Sequence, residues 1–137
     1  MVKNICKDIN ILSKKSEDAS ILDINICQDL KDTLLFNQER CVGMAANMIG
    51  INKNIIVFFD KDELLILINP KIIRHSKEYK ILEEGCLSLE GIRKTKRYYS
   101  VTVEYLDIHF KKRISTFLDF TGQIVQHEID HLSGIII

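Results

Sequence analysis

Apolar side chains recur at helical spacing from about residue 20 to 40 (Ile21, Ile24, Leu30, Leu34, Leu35), which predicts a helix. The first twenty residues are polar and irregular. Gly43, Ala45, Ala46 and Gly50 predict a tight turn or closely packed segment. Two continuous apolar runs then follow, Ile55–Phe59 within residues 54–60 and Leu64–Ile68 within residues 63–69. They predict buried strands joined by a hairpin turn at Lys61-Asp62. A further strand is expected over residues 71–82, after Pro70, the only proline. Val101, Val103 and Tyr105 alternate over residues 100–105, and residues 108–114 continue as the hairpin partner. From about Ser115 to Leu132 the period becomes helical again (Phe117, Phe120, Ile124, His131). Gly122 weakens that helix and Gly134 is placed to end it. Helix, antiparallel strands, helix is an α+β pattern in one domain, residues 1–137.

The second helix carries the densest chemistry. His127-Glu128-Ile129-Asp130-His131 is a His-Glu-x-x-His sequence, and residues four apart share a helical face. Phe117, Phe120 and Ile124 turn that face inward, where two histidines need polar partners and a metal ion supplies them. Glu128 is then a carboxylate beside a metal, suited to handling the proton of an activated water. A catalytic site of this kind takes three protein ligands and leaves a position for water. Cys86 is the candidate third ligand. It follows Gly85, where a backbone can approach a ligand closely, and a metal-bound thiol is deprotonated. The alternative is a small buried cysteine beside a turn, the reading that suits Cys6 and Cys27.

Composition narrows the partners. Lys+Arg and Asp+Glu number 19 each, so no overall charge points to nucleic acid or a membrane surface. The largest basic cluster, Arg93 to Arg97, reads as a short solvated turn. No apolar run approaches a membrane span, and the N-terminus lacks a signal-peptide pattern, so the cytosol is expected. Four cysteines without a Cys-x-x-Cys pair do not make a disulfide framework.

Three segments carry a resemblance. Glu84-Gly85-Cys86-Leu87-Ser88 and Gln126-His127-Glu128-Ile129-Asp130-His131 match, in order, two motifs of bacterial peptide deformylases. Val42-Gly43-Met44-Ala45-Ala46 with Ile49-Gly50 resembles a third, and the likeness covers nearly the whole chain from about residue 20. It implies antiparallel strands packed around a central C-terminal metal-binding helix, with an N-terminal helix. It implies removal of the formyl group from the N-terminal methionine of nascent polypeptides by a monomer acting near the ribosome. Cys86, His127 and His131 would hold one divalent metal ion, ferrous iron in vivo, with Zn2+, Ni2+ or Co2+ as alternatives. Glu128 would be general base and acid, and the backbone N–H of Leu87 would donate to the oxyanion. Gln123 and Ile124 would line the methionine pocket, although Ile124 reads equally well as core. Val42 and Gly43 would pair with the peptide backbone, and Gly85 would border it.

The departures are specific. Met48 stands where the family has a glutamine that donates to the oxyanion, and a thioether cannot donate. Asn47 or a water is a candidate replacement. Cys41 replaces a glycine and would narrow the cleft. Leu89 or Glu90 replaces a frequent proline, and the chain ends shortly after the metal helix, as in a minimal member. Two other readings therefore stand beside the deformylase: a deformylase-like protein that binds metal and peptide with little turnover because of Met48, and a different metallohydrolase such as a small peptidase.

Overall fold

The computed structural model describes residues 1–137. It contains three α-helices, α1 (Ile9–Leu12), α2 (Ile24–Phe36) and α3 (Asp119–Leu132). Seven strands accompany them: β1 (Gly43–Ala45), β2 (Ile55–Asp60), β3 (Glu63–His75), β4 (Tyr79–Cys86), β5 (Leu89–Tyr98), β6 (Ser100–Leu106) and β7 (Lys112–Leu118). Five strands form one antiparallel sheet in the order β1-β2-β3-β6-β7, and β4 and β5 form a separate hairpin.

Strand β2 is apolar without alternation because both of its faces are covered. Ile55 and Val57 pack into a cluster with Ile26, Leu30 and Leu34 of α2. Ile56 and Phe58 pack into a second cluster with Ile124 and Val125 of α3 and with Phe117. Strand periodicity thus divides one strand between two cores, and a one-residue slip would exchange them. Burial of a leucine such as Leu30 or Leu34, both fully buried, stabilises the fold by about 1.5–3 kcal/mol.

The β2–β3 hairpin turns at Lys61-Asp62 as expected, with Asp60 opposite Glu63 and Lys61 at a positive φ of 59°. Pro70 lies within β3, at an irregularity where pairing with β6 skips from Ile68 to Lys71. A residue without an N–H is tolerated there. The neighbouring Asn69 side chain exchanges two hydrogen bonds with the backbone of Ala19, at 2.7 and 3.0 Å, and ties the N-terminal segment to the sheet.

Several boundaries differ from expectation. Residues 71–82 do not form one strand: β3 runs on to His75, and β4 begins at Tyr79. The partner of β6 is displaced to Lys112–Leu118, because Asp107 accepts from the amides of His109 (2.9 Å) and Lys111 (3.1 Å) and builds the turn from residues 107–111. Phe117 therefore belongs to β7, and α3 starts at Asp119. Residues 1–20 include the short helix α1, and the Gly43–Gly50 segment includes β1 and a 3₁₀ turn at Ala46–Ile49. Arg93 to Arg97 are not a solvated turn but the middle of β5. No helix is long and apolar enough to cross a membrane.

Helix α3 ends as its sequence predicts. Gly134 has φ 77°, its N–H donates to His131 O, and the N–H of Ile135 donates to Asp130 O. This is a left-handed glycine cap. Gly122, which costs helix propensity, is required: a Cβ there would lie 2.8 Å from the Phe117 carbonyl oxygen.

Candidate active site

The α3 residues Gln123, Ile124, His127, Glu128 and His131 recur at three- and four-residue spacing, so one helical face carries them all. Gln126 fixes the rotation of the helix. Its amide oxygen accepts from Tyr98 N (2.8 Å) and its nitrogen donates to Tyr98 O (2.9 Å), fastening α3 to β5. The β4–β5 hairpin then brings its tip to the histidines. Cys86 is the last residue of β4, beside a register shift between Glu84 and Cys86, and Leu87-Ser88 form the turn.

His127 Nε2 and His131 Nε2 lie 3.1 Å apart, and with Cys86 Sγ the three donor atoms all fall within 4.8 Å of one another. Two nitrogens bound tetrahedrally to one ion at about 2.0–2.1 Å would be separated by about 3.3 Å. The donor set therefore fits a divalent metal. One further atom supports that fit: Glu128 Oε1 is buried with no hydrogen-bond partner, an arrangement folded proteins rarely leave without a functional reason.

A second layer orients the first. His127 Nδ1 donates to Glu84 Oε1 at 2.9 Å, which turns Nε2 toward His131. Glu84 is buried and accepts from Arg97 through Nε (3.1 and 3.0 Å) and Nη2 (2.7 Å), and from Gln123 Nε2 (2.9 Å). Arg97, also buried, reaches Asp130 with its remaining nitrogen at 2.6 Å. Burial alone would raise the Glu84 carboxyl, but the bonds from His127 and Arg97 outweigh it and hold the pKa at about 2.

The same opposition of burial and charge sets the other groups. Burial raises Glu128 to about 7, even though the charge of His127 pulls it down. A carboxyl so placed can both take and return a proton near neutrality. Burial lowers His131 to about 3, helped by the charges of His127 and Arg97, so its ring is a neutral donor. Burial also works to lower His127, but Cys86, Glu84 and Glu128 prevail and raise it to about 10.

A cavity of about 420 Å³ opens in front of these groups, bordered by Met48, Gly85 and Leu87 besides the residues of α3, Phe120 among them. Every candidate from the sequence except Asn47 is brought here. Val42, Gly43, Gln123, Glu128, Cys86 and His127 line the cavity, and His131 lies behind them at 1% exposure. Ile124 is both core and lining, since it belongs to the α3-side cluster and borders the cavity. Phe120 is 60% exposed and stands at the cavity mouth, not in the core as its spacing predicts.

Gly43 makes the close approach possible. A Cβ on it would lie 2.8 Å from Ile124 Cγ2 and 3.0 Å from Glu128 Oε2. Phe59 N donates to Val42 O at 3.0 Å, so by antiparallel alternation the peptide groups of Gly43 face the outer edge of β1. That edge is available to an extended chain, although Cys41 Sγ donates to Gly43 O at 2.8 Å. Burial, reinforced by the charge of Glu128, pushes the Cys41 thiol up to about 12 and keeps it protonated for that bond. Asn47 does not replace a missing donor: its amide nitrogen donates to His131 O at 2.7 Å and is committed to the helix.

Sequence reasoning missed the roles of Glu84 and Arg97. Thr95 and Arg97 alternate with exposed Lys96 along β5, but a run of polar residues carries no sign of which face is buried.

Comparison with known proteins agrees with this geometry. A family model described as polypeptide deformylase matches residues 2–137. A peptide deformylase of Clostridium beijerinckii is 52% identical over 137 residues, covering all of both chains. One from Pseudothermotoga lettingae is 37% identical over 130 residues, covering 92% of this chain and 74% of its own. Among solved structures, a Met-Ala-Ser-bound class I type b peptide deformylase from Acinetobacter baumannii superposes with a TM-score of 0.89. Its identity is 28%, covering 99% of this chain and 97% of that one.

Proposed function

The chain belongs to the polypeptide deformylase family and is an enzyme of metal-dependent deformylation; we propose that Cys86, His127 and His131 hold its metal and Glu128 moves its protons. The substrate is the N-terminal formylmethionine of nascent polypeptides. The observation that carries the site assignment is the convergence of three donor atoms beside a buried carboxylate oxygen with no partner.

A divalent ion at this site supplies a Lewis acid that lowers the pKa of water to about 7. Glu128 Oε1, buried and without a partner, would take the proton of the water that adds to the formyl carbon. The Leu87 N–H, which has no backbone partner, donates to the carbonyl oxygen as negative charge develops on it. Glu128 then returns its proton to the leaving amine, releasing formate and a free N-terminus. Gly43 pairs with the peptide backbone along the open edge of β1, with Val42 and Gly85 bordering it. Gln123 and Ile124 line the pocket for the methionine side chain.

Met48 lines the cavity where the family's second oxyanion donor stands, and it cannot donate. Loss of one such donor typically costs about 10²–10³ in kcat, so the expected enzyme is slow and Met48→Gln is faster. We also read residues 1–137 as one domain, a cytosolic monomer meeting formylated chains near the ribosome, with ferrous iron as the native ion.

Formyl-Met-Ala-Ser and unformylated Met-Ala-Ser distinguish the possible hydrolases. Formate release from the first by protein loaded anaerobically with ferrous iron, lost in Cys86→Ser and His131→Ala together with the metal, supports the proposal. Cleavage of the peptide bond in the second, with no formate from the first, would replace it with a peptidase.

A further inference from the structure

The Met48 thioether lacks a hydrogen to donate. Its surroundings point to what it supplies. The side chain is 1% exposed, in the cluster under α2, yet it also lines the cavity that holds Cys86, His127 and Glu128. Its Sδ lies 4.0 Å from Cys86 Sγ. A thiolate bound at about 2.3 Å and a longer, weaker thioether on the same ion would be separated by roughly 4 Å. The Met48–Cys86 separation is therefore close to that of two ligands sharing a metal. As the chain stands, the contact is a weak thiol-to-thioether hydrogen bond. Once Cys86 is a thiolate there is no hydrogen left to donate, and the thioether lone pairs remain beside the ligand.

We infer that Met48 is a metal-selecting residue: its thioether is an additional, weak sulfur ligand of the ion held by Cys86, His127 and His131. The inference rests on the metal-site assignment above and extends it. Two imidazoles, a thiolate and a thioether make a soft donor set, found where a long axial methionine tunes a metal held by two histidines and a cysteine. A weak fourth ligand leaves room for water while shifting the preference of the site toward soft, thiophilic ions. An amide at the same position would leave a harder site.

The test uses the full chain with one equivalent of cadmium and counts sulfur neighbours by X-ray absorption at the metal. Native protein is expected to show two, and Met48→Leu, which keeps the apolar bulk, one. Cys41→Ser is carried alongside, because its thiol also lines the cavity, and should keep two. Competition titrations give a second reading: the ratio of cadmium to cobalt affinity should fall about tenfold in Met48→Leu. One sulfur in both native and Met48→Leu protein, with an unchanged ratio, would overturn the inference while leaving the three-ligand site and its deformylase activity standing. Two sulfurs in Met48→Leu, reduced to one by Cys41→Ser, would overturn it in favour of Cys41. Failure of the folded native chain to bind cadmium or cobalt would overturn both the inference and the metal-site assignment.

Discussion

Ile55 and Val57 pack toward α2, while Ile56 and Phe58, alternating with them along the same strand, pack toward α3. The two faces of β2 meet different helices. At α2 the buried polar side chains are satisfied locally: Thr33 Oγ1 donates to Asp29 O at 2.7 Å, and Asn37 Nδ2, just past the helix end, donates to Thr33 O at 2.8 Å. On α3 a row of buried polar groups, Gln126, His127, Glu128 and His131, continues from the apolar Ile124 and Val125. Two atoms of that row are left without partners. The α2 face is consistent at every level from spacing to packing, whereas the α3 face gives up local satisfaction where a ligand is to bind. The site lies along the seam. Its nitrogens come from α3, and its sulfurs, Cys86 and Met48, belong to or pack against the α2-side cluster.

The largest effect that should separate the two faces comes from Arg97→Met. It strands Glu84 as a buried charge, which typically costs about 3–5 kcal/mol, and loosens the orientation of His127. Urea unfolding should show that loss, and metal affinity should fall about 10–100-fold. Stability lost without any change in metal affinity would mean that Arg97 serves the fold alone. On the other face, Leu34→Ala removes a fully buried side chain and should cost about 2–5 kcal/mol, with turnover per folded molecule unchanged. A comparable fall in turnover would show that the two cores are not separable.

Gly43→Ala is expected to act at the seam. The added methyl meets Ile124 and Glu128, so overpacking should cost about 1–3 kcal/mol and kcat should fall more than stability implies. Thermal unfolding and steady-state kinetics on one preparation would reveal the imbalance. The smallest effect serves as a control remote from both faces. The Arg113 side chain and the amides of Lys111 and His109 hold the Asp107 carboxyl at about 2. A depressed carboxyl stabilises the turn fully above its ordinary value of 3.8, and that contribution is lost as pH falls through 2. Carboxyl NMR should place the midpoint near 2 in the native chain and higher in Arg113→Ala.

The α2 face was legible in the sequence because one physical rule, apolar spacing, governs it. Leu30 and Leu34 lie where the pattern puts them. The candidate metal triad was legible for a different reason: a fixed spacing on α3 and a cysteine after a glycine carry their chemistry in residue type. What could not be read depended on register. Arg97 looked solvated because its neighbours are basic, and only the pairing of β4 with β5 and the docking of α3 turn it inward toward Glu84 and Asp130. Phe120 has core-like spacing, yet it occupies the first turn of α3 at the cavity mouth, where it stays largely exposed. Asn47 was a candidate donor by proximity in sequence, but a long-range bond to His131 O decides its direction.

The most direct test of the account compares formate release from formyl-Met-Ala-Ser by the native chain and by Glu128→Ala, each loaded with ferrous iron without oxygen and checked for equal metal content and fold. Glu128 is the proton carrier in this account, so the variant should lose about 10²–10⁴ in kcat while keeping its metal. Equal turnover by the two proteins, or none from a folded, metal-loaded native chain, would contradict it.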